Sequence, residues 1–534
     1  MSLGGEIPDY IVVGAGSAGA VLAARLTENP DVRVALIEAG GEDRNPWIHV
    51  PLGYGKLFRD PSVNWMYSGV AEPGLNDRVI YHPRGKVVGG SSSINGLLYV
   101  RGQAADFDQW AQMGCTGWSF DGVLPYFRRA ERRIAGGNEL RGHDGPQPIS
   151  PPTIGHELCD AYIEACVQSG LPLNPDFNGE RQEGTGYYES THLNGIRWST
   201  AKSYLREARK RPNLRTILNA RVLRINFEGK RATSVVYEQD GREITLPARR
   251  EIIISAGSIA TPQLLELSGL GDGERLRNLG IDVVHHSPQI GERLQDHLQV
   301  RCVYEAKSGN TLNARYNNLL RRLGIGLEFM FGRKGPLTVS AGYAGSFFRT
   351  SDLLQEPDIQ SLFLIFSLRK MGDAFDAFSG FTASYYQLRP ESRGHVHAVT
   401  PDIRQHPAIF ANYLATETDR RVNIAGLRRL REIMRAPAMA AQVKKEIEPS
   451  PSATSDEELL AYIRATASTV YHPSSTCAMG PNDNDPCAPD LRLRGVEGLR
   501  VCDCSVMPTM TSGNLNAVAI MIGEKGADLI RNQI

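Results

Sequence analysis

The sequence predicts a mixed α/β fold in which one domain carries a parallel sheet and a second, discontinuous domain carries an antiparallel sheet with helices. The first observation is an apolar run at residues 9–13 that leads directly into a glycine-rich segment at residues 14–19. The second is a series of alternating segments between residues 214 and 257. The third is the length of 534 residues, which exceeds a single typical core.

The elements of the N-terminal part follow from these patterns. Residues 10–40 are predicted to form a strand, a tight turn, a helix with small and apolar packing residues, and a second strand that ends at Glu38. Residues 41–80 are rich in glycine, proline and asparagine, so we expect an irregular segment that wraps across a ligand. The polar segment at 155–210 indicates a departure into a second domain.

The remaining elements are strands at 214–218, 222–227, 233–238 and 251–255, a helix at about 261–269, mixed strands and helices at 300–450, a strand at 499–502 and a closing helix at about 516–530. The spacing of Cys502 and Cys504 is compatible with that last strand. The predicted first domain comprises residues 1–155, 213–300 and 460–534. The second domain comprises residues 156–212 and 301–459.

Composition excludes several classes of protein. The chain has 59 basic and 59 acidic residues, and this balance argues against a nucleic-acid partner. Eight cysteines in a chain of this length do not suggest a disulfide framework, so we expect reduced thiols in the cytoplasm. We find no signal-peptide pattern at the N-terminus and no apolar run that is long enough to cross a membrane.

The spacing Gly14-x-Gly16-x-x-Gly19 predicts a Rossmann-like dinucleotide site, because it follows a strand, opens a helix and is trailed by Glu38 at a strand end. The glycines allow the turn, the approach of a diphosphate and close packing of the helix on the strand. The helix N-terminus offers free N–H groups to the phosphates. Glu38 can accept hydrogen bonds from the ribose hydroxyls. This motif does not distinguish NAD from FAD.

Near the C-terminus, His472 and Asn514 offer a proton acceptor and an amide partner that can meet on one reacting group. A neutral imidazole, with a pKa of about 6.5, can take a hydroxyl proton near neutral pH. The amide of Asn514 can donate a hydrogen bond to the developing alkoxide. A dinucleotide site at one end of the chain and a base at the other suggest the oxidation of an alcohol.

Several segments resemble the signatures of the glucose–methanol–choline (GMC) oxidoreductases, which oxidise alcohols with FAD. They lie at residues 85–95, 257–271, 291–298, 471–473 and 500–508. The resemblance spans nearly the whole chain, is weakest at about 300–455, and is closest to bacterial choline dehydrogenase-like, alcohol and sorbose dehydrogenases. It implies a Rossmann-like FAD-binding domain and a discontinuous substrate-binding domain on an antiparallel sheet.

The resemblance also implies site residues. His472 matches the catalytic base of the family, which works beside flavin N5, and Asn514 matches its partner. Some members attach FAD through a histidine at the position of Ile94, so non-covalent FAD is expected here. Amides of the closing helix, with Asn516 as its N-cap, are expected near the flavin. The expected FAD-binding residues are Gly14, Gly16, Ser17, Ala18, Gly19, Glu38, Ala39, Arg84, Gly85, Val88, Gly90, Ser91, Asn95, Gly96, Leu97, Val222, Ala256, Gly257, Asp503, Asn514, Leu515, Asn516 and Ala517.

Four functions remain open at this point. They are an alcohol dehydrogenase that passes electrons to a quinone or another acceptor, an oxidase that uses O2, a lyase that keeps FAD for structure, and a flavin-binding protein without catalysis. Choline, alkanols, sugar alcohols, aromatic alcohols and polyether ends are all candidate substrates, and the oligomeric state is open. We expect no metal at His285, His286, His395 and His397, and His297 is interpreted as structural.

The basic and apolar stretch at residues 319–331 has two interpretations. It is typical of a helix whose apolar side packs on the core. It is also compatible with an amphipathic helix that touches a membrane from the cytoplasmic side, which would make the protein peripheral there.

Overall fold

A computed structural model describes residues 6–370 and 372–532. Its two main sheets confirm the predicted fold class: one has five strands, all parallel, and the other has seven strands, all antiparallel. Residues 1–5, within the N-terminal segment assessed for a signal peptide, lie outside the described residues.

The strands are, in chain order, β1 Tyr10–Val13, β2 Val34–Ile37, β3 Tyr67–Glu72, β4 Arg78–His82, β5 Glu131–Arg133, β6 Gln147–Ile149, β7 Gly184–Tyr187, β8 His192–Leu193, β9 Ile196–Arg197, β10 Leu214–Ile217, β11 Arg221–Glu228, β12 Arg231–Gln239, β13 Arg242–Pro247, β14 Glu251–Ile254, β15 Leu270–Gly271, β16 His285–His286, β17 Leu298–Ala306, β18 Ala344–Phe348, β19 Ile359–Leu364, β20 Gly380–Gln387, β21 His395–His397, β22 Ala408–Phe410, β23 Val443–Glu448, β24 Ser468–Thr469 and β25 Leu499–Val501.

The α-helices are α1 Ser17–Leu26, α2 Pro46–His49, α3 Tyr54–Leu57, α4 Ala104–Gln112, α5 Phe120–Ala130, α6 Glu157–Gln168, α7 Arg206–Ala208, α8 Gly257–Glu266, α9 Gly273–Asn278, α10 Leu312–Tyr316, α11 Leu319–Gly332, α12 Glu417–Arg435, α13 Pro437–Ala440, α14 Asp456–Thr466 and α15 Asn516–Arg531. Short 3₁₀ turns include Gly90–Ser93 and Cys504–Val506. No helix within 6–370 or 372–532 combines the length and apolar character needed to span a bilayer.

The parallel sheet has the strand order β10-β2-β1-β14-β25. Its inner strands β1, β2 and β14 are short runs of aliphatic side chains, and nearly every residue in them is buried. Such runs are typical of parallel strands, because helices or other layers cover both faces of the sheet. Helix α15 packs on α1 so closely that a side chain at Gly523 would lie 2.8 Å from the carbonyl oxygen of Ala18.

The antiparallel sheet has the order β23-β17-β20-β19-β18-β7, and β24 pairs with β17. Because side chains alternate along a strand, Gln299 and Arg301 of β17 point to the same side, and the same alternation holds for Leu362 and Leu364 of β19. All four line the cavity described below. The strands of each sheet come from several parts of the chain, and the proposed division into two domains is considered below.

Four local expectations were wrong. Residues 41–80 are not irregular throughout, because they contain the hairpin β3–β4 and two short helices. Strand β25 ends at Val501, so Cys502 lies just beyond it, and Cys504 begins a 3₁₀ turn instead of lying on the strand. Helix α8 begins at Gly257, and β13 was not predicted, because five of its six residues are exposed and its apolar pattern is weak. The N-cap of α15 is Leu515, whereas Asn516 is its first residue.

The core-facing interpretation of residues 319–331 is also wrong for most of their apolar side chains. Helix α11 forms there, but only Ile325 and Phe329 are buried. The other large apolar residues of the helix, which lie on the opposite side, are exposed; they are Leu319, Leu320, Leu323, Leu327, Met330 and Phe331. The helix thus has an apolar face that no described part of the chain covers.

A cluster of buried ion pairs and hydrogen bonds connects the segment that follows Gly96 with residues between Glu131 and Glu189. The carboxylate of Glu131, which is fully buried, contacts the guanidinium groups of Arg101 and Arg141. Arg141 also pairs with Glu189 at 2.8 Å. The backbone N–H of Arg101 donates to the Asn178 side chain at 2.7 Å. These contacts hold the backbone that continues from the cavity-lining residues 95–98.

Replacing Glu131 with glutamine should therefore destabilise the fold by about 3–5 kcal/mol, because two buried cations lose their common counter-charge. Urea unfolding monitored by tryptophan fluorescence measures the change. The exposed pair of Arg224 and Glu243 supplies a matched control, and Glu243→Gln should cost no more than about 1 kcal/mol. Equal midpoints for the two variants would contradict the structural role of the cluster.

Candidate active site

A deep cavity lies between the carboxyl ends of the parallel strands and one face of the antiparallel sheet. Its empty volume, including the open mouth, is about 2210 Å³. It is lined by Val13 and Ile37 at the ends of β1 and β2, and by β17 and β19 on the other side. An open α/β sheet commonly binds its ligand at the carboxyl ends of its strands.

The glycine-rich turn has the geometry that a dinucleotide diphosphate requires. Gly14 has φ +100°, a conformation that favours glycine, and its N–H donates to the carbonyl of Ile37. No side chain caps the N-terminus of α1 at Gly16, and a Cβ added to Gly16 would meet no atom within 4 Å. A Cβ on Gly90 would lie 2.6 Å from the Cα of Gly16. Free amides therefore face open space, which fits the phosphates of FAD.

Glu38 is buried beside this turn and is held by the backbone. Its carboxylate accepts hydrogen bonds from the N–H groups of Ala15 at 2.8 Å and Gly40 at 2.9 Å. Burial raises the pKa of Glu38 to about 7, although these two hydrogen bonds and the charge of Lys86 act in the opposite direction. A carboxylate has several acceptor sites, so Glu38 can still accept from ribose hydroxyls in the cavity.

Asp503 joins α8 to the segment that precedes the closing helix. Its carboxylate accepts from the N–H of Gly257 at 2.8 Å, from the hydroxyl of Thr261 at 2.7 Å and from the N–H of Ser505 at 2.8 Å. It lines the cavity next to the start of α8. The carboxylate thus fixes two chain segments at the cofactor end.

Asn95 is held in one orientation. Its side-chain oxygen accepts from the guanidinium of Arg197 at 2.7 Å and from the N–H of Leu97 at 3.1 Å. The preceding turn, Gly90–Ser93, follows Gly89 with φ +89°. The neighbouring Ile94 lines the cavity and carries no nucleophilic atom.

Most of the predicted site residues come together in this cavity, although they are far apart in sequence. His472, Asn514 and all but three of the expected FAD-binding residues line it. Gly19 does not, because it packs on the turn, where a Cβ would lie 1.9 Å from the carbonyl oxygen of Gly14. Val88 and Ala517 are buried away from the cavity. A role of Gly19, Val88 and Ala517 in binding FAD stays a prediction, and such a role would act through the packing of the residues that line the cavity.

His472 and Asn514 meet, as the sequence analysis expected. The Asn514 amide nitrogen lies 3.2 Å from Nε2 of His472. The Asn514 side-chain oxygen accepts from Gln360 at 3.3 Å, and Gln360 in turn accepts from the Tyr386 hydroxyl at 2.5 Å. Because its oxygen is already engaged, Asn514 presents its amino group to the imidazole.

A second histidine decides which nitrogen of His472 carries the proton. Nε2 of His297 lies 2.9 Å from the carbonyl oxygen of Leu388, which only accepts, so His297 is protonated at Nε2. Nδ1 of His297 is then an acceptor, and it lies 3.0 Å from Nδ1 of His472. His472 therefore donates from Nδ1 and keeps its lone pair on Nε2. The interpretation of His297 as structural did not anticipate this contact with His472.

The surroundings of His472 keep the imidazole neutral. Burial lowers its pKa well below the usual value, and the neighbouring His297 and Arg84 lower it further. Burial likewise lowers the pKa of His297 to about 3. A general base must be unprotonated to work, so this environment suits the role that the sequence predicts for His472.

The backbone at His472 is fixed by its neighbours. Tyr471 has φ +72°, an unusual conformation for a residue with a side chain. The N–H of His472 donates to the buried carboxylate of Asp296 at 2.8 Å, and Arg84 donates to the carbonyl of Tyr471 at 2.7 Å. Such strain persists where surrounding contacts determine the backbone.

Sequence reasoning missed several cavity residues. Gln299 and Arg301 escaped notice because they lie where the family resemblance is weakest, although two polar residues in an apolar strand are a usable signal. Tyr54 and Phe58 lie in the segment that was expected to be irregular. No pattern links any of these residues to His472 along the chain.

One cluster outside the cavity groups potential metal ligands, namely Glu292, His395 and His397. The sequence showed no carboxylate near these histidines because Glu292 is distant along the chain. However, the guanidinium of Arg275 also contacts His397 and lies 3.6 Å from Glu292. A fixed cation at this position opposes a metal ion, and we assign no metal to the cluster.

Comparisons with known proteins agree with this geometry. A family model described as GMC oxidoreductase matches residues 8–299 with its N-terminal part and residues 390–523 with its C-terminal part. The chain is 43% identical to an oxygen-dependent choline dehydrogenase of Serratia proteamaculans, over 98% of this chain and 96% of the relative. It is 38% identical to an alcohol dehydrogenase [acceptor] of Pseudomonas putida, with the same coverages of 98% and 96%.

Solved structures resemble it as well. The structure described as pyridoxine 4-oxidase from Mesorbium loti superimposes with a TM-score of 0.90 at 29% identity, and the match covers 98% of this chain and 99% of that one.

The hydrogen bond from His472 to His297 yields a prediction. Replacing His297 with leucine should slow the reduction of bound FAD by an alcohol by roughly 10–100-fold, because His472 loses the acceptor that orients it. His297 is itself neutral in this range, because burial lowers its pKa to about 3, so its removal takes away no charge and the pH at which activity falls should stay that of the wild type. Rapid-mixing measurements between pH 5 and 9 test both expectations.

His297→Asn should recover part of the rate, because its side-chain oxygen can replace the Nδ1 acceptor. The exposed His143 provides a control, and His143→Leu should change neither the rate nor the pH profile. A wild-type rate in His297→Leu would show that His297 does not position the base.

Proposed function

Since the chain belongs to the GMC oxidoreductase family and acts on the CH–OH group of an alcohol with FAD as its cofactor, we propose that the alcohol is primary and that His472 is the base. The observation that carries this proposal is the lone pair on Nε2 of His472, which faces the cavity beside the Asn514 amide. The product is then an aldehyde.

In the proposed reaction, Nε2 of His472 takes the hydroxyl proton of the alcohol. The carbinol carbon loses a hydride, and the remaining electron pair of the former O–H bond completes the C=O bond. Bound FAD supplies the acceptor for the hydride, at N5 of its ring. The Asn514 amino group donates a hydrogen bond to the developing alkoxide, a contribution on the order of 2.7–4 kcal/mol for a preorganised donor.

The chain holds FAD without a covalent bond in this proposal. The amides at the start of α1 would hold the diphosphate, and Glu38 would hold the ribose hydroxyls. The segment around Asn95 and the start of α15 at Asn516 would contact the ring. The Asn516 side chain accepts from the Ser17 hydroxyl at 2.7 Å, which joins the N-termini of α15 and α1. Ile94 offers no atom for attachment.

The division into an FAD-binding domain of residues 1–155, 213–300 and 460–534 and a substrate-binding domain of residues 156–212 and 301–459 is part of the same proposal. The five strands of the parallel sheet all come from the first set, which supports it. Strands β17 and β24 pair in the antiparallel sheet although β24 and the start of β17 fall in the first set. This pairing favours boundaries that lie before β17 and after β24.

We further propose that the electron acceptor is a membrane quinone and that α11 binds the cytoplasmic face of the membrane. The exposed apolar residues of α11 lie opposite its buried residues Ile325 and Phe329. Basic residues at the two ends, including Arg321 and Lys334, suit anionic lipid headgroups. Eight cysteines without a disulfide support a reducing compartment.

His472→Ala should keep FAD bound and slow flavin reduction by roughly 10²–10⁴-fold, because no other group can take the hydroxyl proton. Anaerobic rapid mixing with a primary alcohol measures the rate. Added imidazole should restore part of it by occupying the vacated space. Acid denaturation of either protein should release free FAD. An unchanged rate would remove His472 from the base role, and FAD that stays on the polypeptide would contradict non-covalent binding.

The acceptor proposal predicts that the protein sediments with vesicles of mixed phosphatidylglycerol and phosphatidylcholine, and less so at high salt. The variant L320E/L323E/L327E should stay in the supernatant and reduce vesicle-borne quinone at least about tenfold more slowly, while a water-soluble dye is reduced at the wild-type rate. Leu353→Glu, at an exposed apolar residue elsewhere, is the control.

Two results would overturn the proposal. If wild-type protein fails to bind the vesicles, another partner covers the apolar face of α11. A second copy of the chain is one such partner, and sedimentation equilibrium would detect it. If air reoxidises the reduced protein within milliseconds and quinone does not, the protein is an oxidase.

A further inference from the structure

The charged groups of the cavity are divided between its two ends. The carboxylates that line it are Glu38 and Asp503, and both are held by backbone amides on the side of the parallel sheet. Near His472 the charged lining residues are Arg84 and Arg301. The side chains that line the cavity near His472 are therefore cationic, whereas the nearby carboxylate of Asp296 lies outside the lining and accepts from the N–H of His472 and the hydroxyls of Tyr413 and Thr469.

Arg301 has no counter-charge in the part of the chain that the structure describes. It belongs to β17, where it points into the cavity together with Gln299. Its side chain makes one weak hydrogen bond, from Nε to the Gln299 oxygen at 3.3 Å, and no ion pair among the described residues. Arg84 differs, because its guanidinium donates to the backbone carbonyls of Pro83 and Tyr471. The two terminal nitrogens of Arg301 remain as free donors.

Tyr54 presents a second unused donor. Its side chain is 5% exposed and lines the cavity, yet its hydroxyl has no hydrogen-bond partner in the protein. Tyr54 and Arg301 line the same cavity, and the charge of Arg301 lowers the pKa of Tyr54 against the larger upward effect of burial. A buried hydroxyl without a partner is costly, so a ligand that accepts from it is favoured.

Apolar side chains surround these donors. Phe58 packs edge-on against Tyr471, with ring centroids 5.2 Å apart, and Leu362, Leu364 and Val470 line the same cavity. Charged hydrogen bonds are stronger in such surroundings than in water. The site combines an apolar wall, a guanidinium fork and a hydroxyl donor.

We propose that the substrate is a primary alcohol that carries a carboxylate, which binds the free guanidinium of Arg301 and the hydroxyl of Tyr54. An arginine fork matches a carboxylate in a bidentate geometry. This inference rests on the proposed alcohol oxidation at His472 and specifies its substrate class. A quaternary ammonium alcohol is disfavoured, because it would meet an unpaired cation with no acidic side chain in the cavity lining at this end, and the Asp296 carboxylate behind the lining already accepts from three donors.

Three substrates of similar shape test the proposal with the FAD-loaded protein: 4-(hydroxymethyl)benzoate, its neutral carboxamide and 4-(hydroxymethyl)phenyl-trimethylammonium. The benzoate should have a kcat/KM at least about tenfold above that of the carboxamide, because a charged hydrogen-bond pair forms only with the anion. The ammonium compound should be the poorest of the three. Measurements use an artificial dye as acceptor.

Variants then assign the preference to the two donors. In Arg301→Met the ratio of benzoate to carboxamide should fall to about one, and Arg301→Lys should give an intermediate ratio because the lysine charge lacks the fork. Arg301→Glu should favour the ammonium substrate. Tyr54→Phe should lower the ratio several-fold. The exposed Arg242 on β13 is the control, and Arg242→Met should keep the wild-type ratio.

A binding measurement makes the test independent of turnover. 4-Methylbenzoate, which has no hydroxyl to oxidise, should bind more tightly than 4-methylbenzamide by calorimetry, and Arg301→Met should abolish the difference. If neutral alcohols are oxidised but the benzoate is not preferred, the carboxylate inference fails while alcohol oxidation stands. If no alcohol reduces FAD but 4-methylbenzoate still binds through Arg301, the proposed reaction fails while the anion site stands.

Discussion

The proposed chemistry depends on one line of hydrogen bonds, which runs from the Leu388 carbonyl through His297 to His472. A carbonyl oxygen can only accept, so it fixes the proton of His297 at Nε2, and the next bond fixes the proton of His472 at Nδ1. The lone pair that remains points at Asn514 and the cavity. Without this line, the base would be divided between two tautomers.

The burial of His472 favours the base role that we propose for it. Removing His472 from water lowers its pKa and keeps the imidazole neutral. This neutrality has a cost for stability: an unfolded histidine takes up protons below a pH of about 6.5, whereas the folded one does not until much lower pH. The free energy of unfolding is therefore unaffected by this residue above a pH of about 6.5 and decreases progressively as the pH falls below it, so acid destabilises the fold through His472.

The two sheets supply opposite electrostatic environments to one cavity. The parallel sheet presents helix N-termini and two carboxylates held by amides, which suits a dinucleotide. The antiparallel sheet presents apolar side chains and the free cation of Arg301. In the proposed complex, the diphosphate of FAD and the carboxylate of the substrate would thereby bind at opposite ends of the cavity.

The sequence by itself determined the fold class, the turn at Gly14 and the meeting of His472 with Asn514, because short glycine spacings and apolar runs act locally or belong to a family signature. It did not determine the role of His297, the exposure of the apolar face of α11 or the position of Arg301. These depend on side chains from distant segments, whose packing decides which groups meet and which remain unpaired. Only the tertiary structure decides a tautomer or an absent counter-charge, since both are properties of neighbours in space.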